Sequence, residues 1–300
     1  MNASALDWLQ IRDLHFGYSN LLYRGFEVQV RGPATIGVFG RNGTGKSTLL
    51  KLLAGLLTPQ AGQIQVLGYT PRARAAEYLA QIYLLPEEFH LPDLQPAALV
   101  ALQGVFYPRF DAALFHNYLQ VLEVPAQQRF SQMSLGQKKK ATIAFALATL
   151  TPVLLMDEPT NGLDIVSRAQ FKQLMARPEH AERLVLISTH QAHDLESLLS
   201  DVWFIDDGQL RLQASMAALA EQLALGIAAT PAELPPAEAL LYSEALGAQT
   251  AWVAQRRLLP QNLQEQSPRG VQLELVYKAL SLQPQAMLAA LRPAVAEEQP

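Results

Sequence analysis

Gly40-Arg41-Asn42-Gly43-Thr44-Gly45-Lys46-Ser47 follows a compact apolar run, Thr35–Phe39, and leads into Ser47–Leu57, where apolar residues recur with helical spacing. Strand, glycine-rich loop and helix in that order form the context in which this pattern cradles phosphate. Gly40, Gly43 and Gly45 let backbone N–H groups turn toward an anion without Cβ clashes. Lys46 supplies a cation for the β- and γ-phosphates, and Ser47 offers a hydroxyl to Mg²⁺. The helix that begins there points the positive end of its dipole at the same anion. Asn42, Thr44 and Thr48 complete the candidate nucleotide-binding set.

A second stretch gives this loop a reaction. Val153–Met156 is an apolar strand that ends in Asp157-Glu158. Asp157, at the strand's C-terminal end, can reach a Mg²⁺ beside Ser47. Glu158, one residue on, points elsewhere, which suits a base that polarises water for attack on the γ-phosphate. Alone, the pair reads as well as a solvated acidic turn; the phosphate loop upstream weighs against that.

Outward from these motifs the chain alternates strands and helices. Ile11–Tyr18 and Phe26–Val30 are short strands about a polar turn, and Gln63–Leu67 alternates as another. Ile82–Leu85 is stopped by Pro86, and Pro96–Val124 is helical with a break near Tyr107-Pro108. Ser131–Gln137 is a loop that opens a long helix through Ala148; Leu184–Ser188 and Val202–Ile205 are further buried strands. The fold class is α/β, a mostly parallel sheet. Composition shifts near Gln213 to Ala-Leu-Glu-Gln stretches with Pro231, Pro235 and Pro236, which leaves a small α+β appendix and a helical tail both open.

The 300 residues are 50% hydrophobic and 17% charged, with net charge −4. That suffices for a large domain with a smaller one, and it opposes nucleic-acid binding, which usually calls for a basic domain. The sequence contains no cysteine, which excludes disulfides, zinc-thiolate sites and thiol chemistry and permits a reducing compartment. Met1–Leu9 lacks the basic start and apolar core of a secretory signal. Ala141–Met156, the longest apolar stretch, is broken by Thr142, Thr149, Thr151 and Pro152, so any membrane-spanning part is expected in another chain.

Met133-Ser134-Leu135-Gly136-Gln137 resembles the signature loop of ATP-binding-cassette proteins. Asp157-Glu158-Pro159-Thr160-Asn161-Gly162-Leu163-Asp164 resembles that family's second carboxylate motif with the loop after it, and Ser188-Thr189-His190 its switch-histidine segment. The resemblance covers about residues 9–212. It implies an ATPase domain over 1–212, built from a phosphate-loop core, an antiparallel β subdomain and a helical subdomain at about 88–150, with an accessory region at 213–300. It implies ATP and Mg²⁺ as ligands, Tyr18 stacked on adenine, and His190 holding Glu158 and the attacking water at the γ-phosphate. Two cassettes would face head to tail, so that Ser134, Gly136, Gln137 and Asp164 contact the partner's ATP.

Two departures stand out. Glu87 occupies the place of the family's usual Gln after an apolar strand and Pro; as a Mg²⁺ ligand it adds negative charge. Leu135 replaces the first signature Gly. Lys138-Lys139-Lys140 reads as a charged, solvated face. The signature variant, Pro86-Glu87 and Phe106–Asp111 are similar to cassettes of bacterial drug, antibiotic and lipid exporters, which work with a separate polytopic membrane permease. This implies a homodimer or heterodimer of cassettes, peripheral on the inner face of the cell membrane, with the insertion near 90–125 receiving the permease. Gly270–Leu280 is similar to the tail of such cassettes, or is an amphipathic helix on its own domain. An importer motor, a soluble cassette acting on nucleic acid or ribosomes, and a non-hydrolytic regulatory module, which intact Glu158 and His190 oppose, are the other classes.

Overall fold

The computed structural model describes residues 7–190, 192–193, 195–267 and 270–291. They fall into two compact units. One contains the chain through His190 and returns for Trp203–Arg211; the other contains 191–202 and the chain from Leu212 onward.

The first unit opens with β1 (Leu9–Gly17), β2 (Leu21–Val30) and β3 (Ala34–Phe39), then α1 (Lys46–Leu53), β4 (Ala61–Val66), α2 (Ala76–Leu79) and β5 (Ile82–Leu85). β1 pairs antiparallel with β2 and β4, giving a three-stranded sheet ordered β2-β1-β4. The helical insert follows as α3 (Pro96–Leu102), α4 (Ala112–Val121) and α5 (Leu135–Ala148), then β6 (Val153–Asp157), α6 (Ile165–Met175) and β7 (Leu184–Ser188). With β8 (Asp201–Asp206) and β9 (Gln209–Ser215) these form a six-stranded sheet ordered β5-β6-β7-β3-β8-β9. The pairs β5–β6, β6–β7 and β3–β7 are parallel.

α1 packs against β6 and β7. Its Leu49, Leu50, Leu52 and Leu53 share one core with Leu14 and Phe26 of the antiparallel sheet and with Ile36, Leu155 and Leu186 of the parallel one. The helix is therefore fixed on both sides, and so is the loop that feeds it. α1 stops at Leu53, not at Leu57 as the periodicity predicts. Gly55 takes φ +69° and donates to the Leu52 carbonyl at 3.1 Å, while Leu56 N–H reaches Lys51 at 2.9 Å. This pair of bonds is a left-handed glycine stop that satisfies the last carbonyls.

In the second unit α7 (Met216–Gln222) leads to β10 (Leu223–Ala228), β11 (Leu240–Leu246), β12 (Gln249–Gln255), α8 (Gln261–Gln266), α9 (Leu273–Leu282) and α10 (Pro284–Ala290). The three strands form an antiparallel sheet ordered β10-β12-β11, so the appendix is α+β. Ala224, Ala228, Ala239, Trp252, Ala254 and Leu259 make its core. α9 buries Leu273, Leu275, Val276, Ala279 and Leu280 and packs on β11 and β12, the arrangement of an amphipathic helix on its own domain.

Candidate functional site

The loop between β3 and α1 needs its glycines. A Cβ on Gly40 would run into the Ile205 carbonyl oxygen. Gly45 caps α1 at φ +105°, and a Cβ there would lie 2.6 Å from the Tyr23 hydroxyl. That hydroxyl donates to the Gly45 carbonyl at 2.7 Å and braces the loop from β2. The Thr44 hydroxyl donates to Arg41 O at 2.9 Å, so it serves the loop's own shape. Lys46 is buried, and its Nζ donates to the carbonyls of Gly40 at 2.8 Å and Arg41 at 3.1 Å. Burial pulls the Lys46 ammonium below the usual lysine range, while Glu158, Asp157 and Glu87 oppose that shift. Lys46 thus sits within the field of the three carboxylates read as base and Mg²⁺ ligands, Glu158, Asp157 and Glu87.

The parallel pairing explains how two adjacent carboxylates serve different partners. Asp157 ends β6 opposite Ser188 of β7, whose hydroxyl it accepts. Glu158 then turns to φ +46°, a left-handed conformation that costs a non-glycine residue about 1–2 kcal/mol. Its N–H is held by Ser188 O at 2.9 Å, and its carboxylate meets His190 Nδ1 at 2.9 Å. Strain of this kind persists where the surroundings over-determine it, often at functional sites.

A cleft of about 620 Å³ is lined by Tyr18, Asn42, Gly43, Gly45, Lys46, Ser47, Thr48, Glu87 and Glu158, among others. This lies within the usual span for small-molecule sites, about 300–1,000 Å³. Tyr18 is 64% exposed, approaches Thr48 Oγ1 at 3.5 Å, and stands edge-on to Phe16 at 5.2 Å. Its ring is open to a flat ligand. Ser47, Glu87 and Asp157 are hard oxygen donors of the kind Mg²⁺ takes. Among the described residues no group of three or more His, Cys, Asp or Glu could hold a metal. A Mg²⁺ here would therefore rely on nucleotide oxygens for its remaining ligands, as Mg²⁺ usually does.

The family model for ABC transporters matches residues 23–161. The cytochrome c biogenesis ATP-binding export protein CcmA of Brucella abortus (strain 2308) is 32% identical over 171 residues, 54% of this chain and 75% of that protein. The chain belongs to the ABC transporter ATP-binding family. It binds ATP, and it is an ATPase whose hydrolysis drives transport. The ABC transporter ATP-binding protein YtrB of Bacillus subtilis (strain 168) is 28% identical over 193 residues. That match spans 64% of this chain and 66% of YtrB, just under two thirds of its length. A solved structure described as the ATP-binding subunit of an ABC transporter superposes with a TM-score of 0.62 at 24% identity, covering 69% of this chain and 90% of that one. This likeness shows the ABC ATPase fold. No helix among the described residues is long and apolar enough to cross a membrane.

The remaining residues of the ABC motifs lie away from the cleft lining. Ser134 caps α5: its Oγ accepts from Gln137 N–H at 3.2 Å, and Gln137 Oε1 accepts from Ser134 N–H at 2.9 Å, a reciprocal capping box. Asp164 caps α6 by accepting from Ser167 N–H at 2.7 Å. Gly136 is uncrowded by its own chain, since a Cβ there would meet only Gly162 O at 3.9 Å and Ser134 Oγ at 4.0 Å. Leu135 is 75% exposed, Ile165 86% and Val166 63%.

The structure adds residues that sequence reasoning missed. Asn161 Nδ2 donates to Glu87 Oε1 at 2.9 Å. Tyr23 and Ser188 hold the loop and Asp157. Lys139 is 5% exposed, which corrects the reading of Lys138–Lys140 as a uniformly solvated face. A signal was present: Lys139, Thr142, Ile143 and Ala146 fall on one helical stripe, and the rest of that stripe is small or apolar.

Proposed function

We propose that this ABC ATPase is the motor of an exporter whose membrane-spanning part is a separate polypeptide. The observation that carries its chemistry is Glu158, strained, buried and bonded to His190 in the cleft that holds Lys46. Lys46 and the loop N–H groups bind the phosphates, Thr48 and Asn42 line their approach, and Tyr18 stacks on the base. Ser47, Asp157 and Glu87 would hold Mg²⁺, which would neutralise charge on the phosphate oxygens. Glu158 accepts a proton from the attacking water, and His190 orients Glu158 and the γ-phosphate.

The site is half of a pair. Leu135, Ile165 and Val166 expose apolar surface at the starts of α5 and α6, next to the open face of Gly136. A second cassette packed there would receive the helix N-terminus behind Ser134 at its own nucleotide. Gln137 and Asp164 would then contribute by holding the two N-termini in place as well as by direct contact. Leu102, Val105 and Phe106 form a second exposed apolar patch, on the helical insert, which fits docking by the permease. Its place is thus the inner face of the cell membrane, held by that permease. The bounds 1–212 for the ATPase domain and 213–300 for the accessory region are part of this reading. Export, rather than import, is favoured by the likeness to CcmA, which is named an export protein.

Affinity purification of the full chain from its own membranes tests the assignment. The expected result is co-purification of a polytopic membrane protein that has no cassette motifs. Recovery of ribosomes or DNA alone would contradict it.

A further inference from the structure

Among the described residues only two lysines are buried, and both serve one acidic cluster. Lys46 comes from the phosphate loop. Lys139 comes from the second turn of α5, and its Nζ donates to the Glu87 carbonyl at 3.3 Å and lies 5.8 Å from the centre of the Phe89 ring. Glu87, Phe89, Gly136, Lys139, Asn161 and Gly162 line one cavity of about 500 Å³, which meets the nucleotide cleft at Glu87. Burial draws the Lys139 ammonium below the usual lysine range, and Glu87, then Asp157 and Glu158, oppose it. The same three carboxylates act on Lys46.

A lysine with its head out of water needs a nearby negative charge or it neutralises. A carboxylate facing a polyphosphate has the converse need. Glu87 and Lys139 meet both needs at once. With them present, two cations stand among three carboxylates; with an amide at both positions, one cation would stand among two. The net local charge is the same in either arrangement.

We propose that Lys139 is a positioning residue that offsets the Glu87 carboxylate, so that Glu87 can face the nucleotide without repelling it. The hydrogen bond to the Glu87 main chain sets the Lys139 ammonium beside that residue, both line the same cavity, and Asn161, in the loop after β6, holds the Glu87 carboxylate. This rests on the cleft being the nucleotide site.

The test is calorimetric binding of ATP in excess EDTA, where no turnover contributes, to the full chain and to K139Q, E87Q, E87Q/K139Q and K139R. K46A reports on the cleft itself: its loss of binding keeps the site assignment, and unchanged binding there would overturn that assignment before the lysine pair is judged. K139Q is expected to bind about tenfold more weakly, since one uncompensated charge is added near the phosphates. E87Q/K139Q is expected within about threefold of the unmodified chain, and K139R close to it. Equal affinity in K139Q, or losses in K139Q and E87Q that simply add in the double variant, would overturn the proposal. If K139Q does not fold, the double variant carries the same amide at 139: its folding and binding support charge compensation, and its failure overturns it.

Discussion

β6 and β7 run in register, so Asp157 faces Ser188 and the residues just beyond them, Glu158 and His190, meet at 2.9 Å. E158Q is predicted to retain ATP binding and lose at least about a hundredfold in turnover, the usual loss on removing a general base; normal steady-state phosphate release would sink the assignment. G45A is predicted to lose nucleotide affinity and about 1–3 kcal/mol of stability, because the position is left-handed and braced by Tyr23; calorimetry and urea unfolding check both. The phosphate loop and the paired carboxylates were legible because their chemistry requires adjacent residues in a fixed order. The roles of Asn161 and Lys139 at Glu87 were not legible, because what defines them is contact with a residue 74 and 52 positions away in sequence.

α4 and β7 are tied by a polar network that no motif announces. Arg183, buried at the start of the β7 segment, donates to the carbonyls of Thr151 at 2.7 Å and Leu147 at 3.2 Å and to His180 Nδ1 at 3.0 Å. The other ring nitrogen of His180 faces the Tyr118 hydroxyl of α4 at 3.3 Å. Burial, and then the Arg183 charge, lower the His180 pKa from 6.5 to about 4. The unfolded chain therefore binds a proton that the folded one refuses. Stability from this group is full above about pH 6.5 and is lost as pH falls toward 4, by roughly 2 kcal/mol between pH 7.5 and pH 5. Urea unfolding at the two pH values should show this slope in the natural chain and a smaller one in H180Q; equal slopes would refute the network's role. Among the elements, strands at 82–85 and 184–188 matched their apolar runs, since buried parallel strands read as continuous hydrophobic stretches. β10 to β12 were not legible. Their Ala- and Leu-rich segments favour helix locally, and only pairing around Trp252 makes them a sheet.

The molecule as a whole presents more apolar surface at the α5 and α6 starts than its own fold uses. Ile165, 86% exposed at the first position of α6, makes few demands on the folded chain. I165E is thus predicted to leave thermal stability within about 0.5 kcal/mol of the natural value, as surface changes usually do, while reducing turnover through weaker pairing. Unaltered turnover at low protein concentration would contradict that. The proposed working site is shared, with Lys46 and Glu158 of one chain on one side and Ser134 and Gly136 of a second cassette on the other. Sedimentation velocity of E158Q, run with and without Mg-ATP, reports on this sharing. Monomers without nucleotide and a stable dimer with it, abolished by adding S134R, are the expected result. A species that remains monomeric at saturating Mg-ATP, with the natural chain turning over at a rate independent of its concentration, would contradict it.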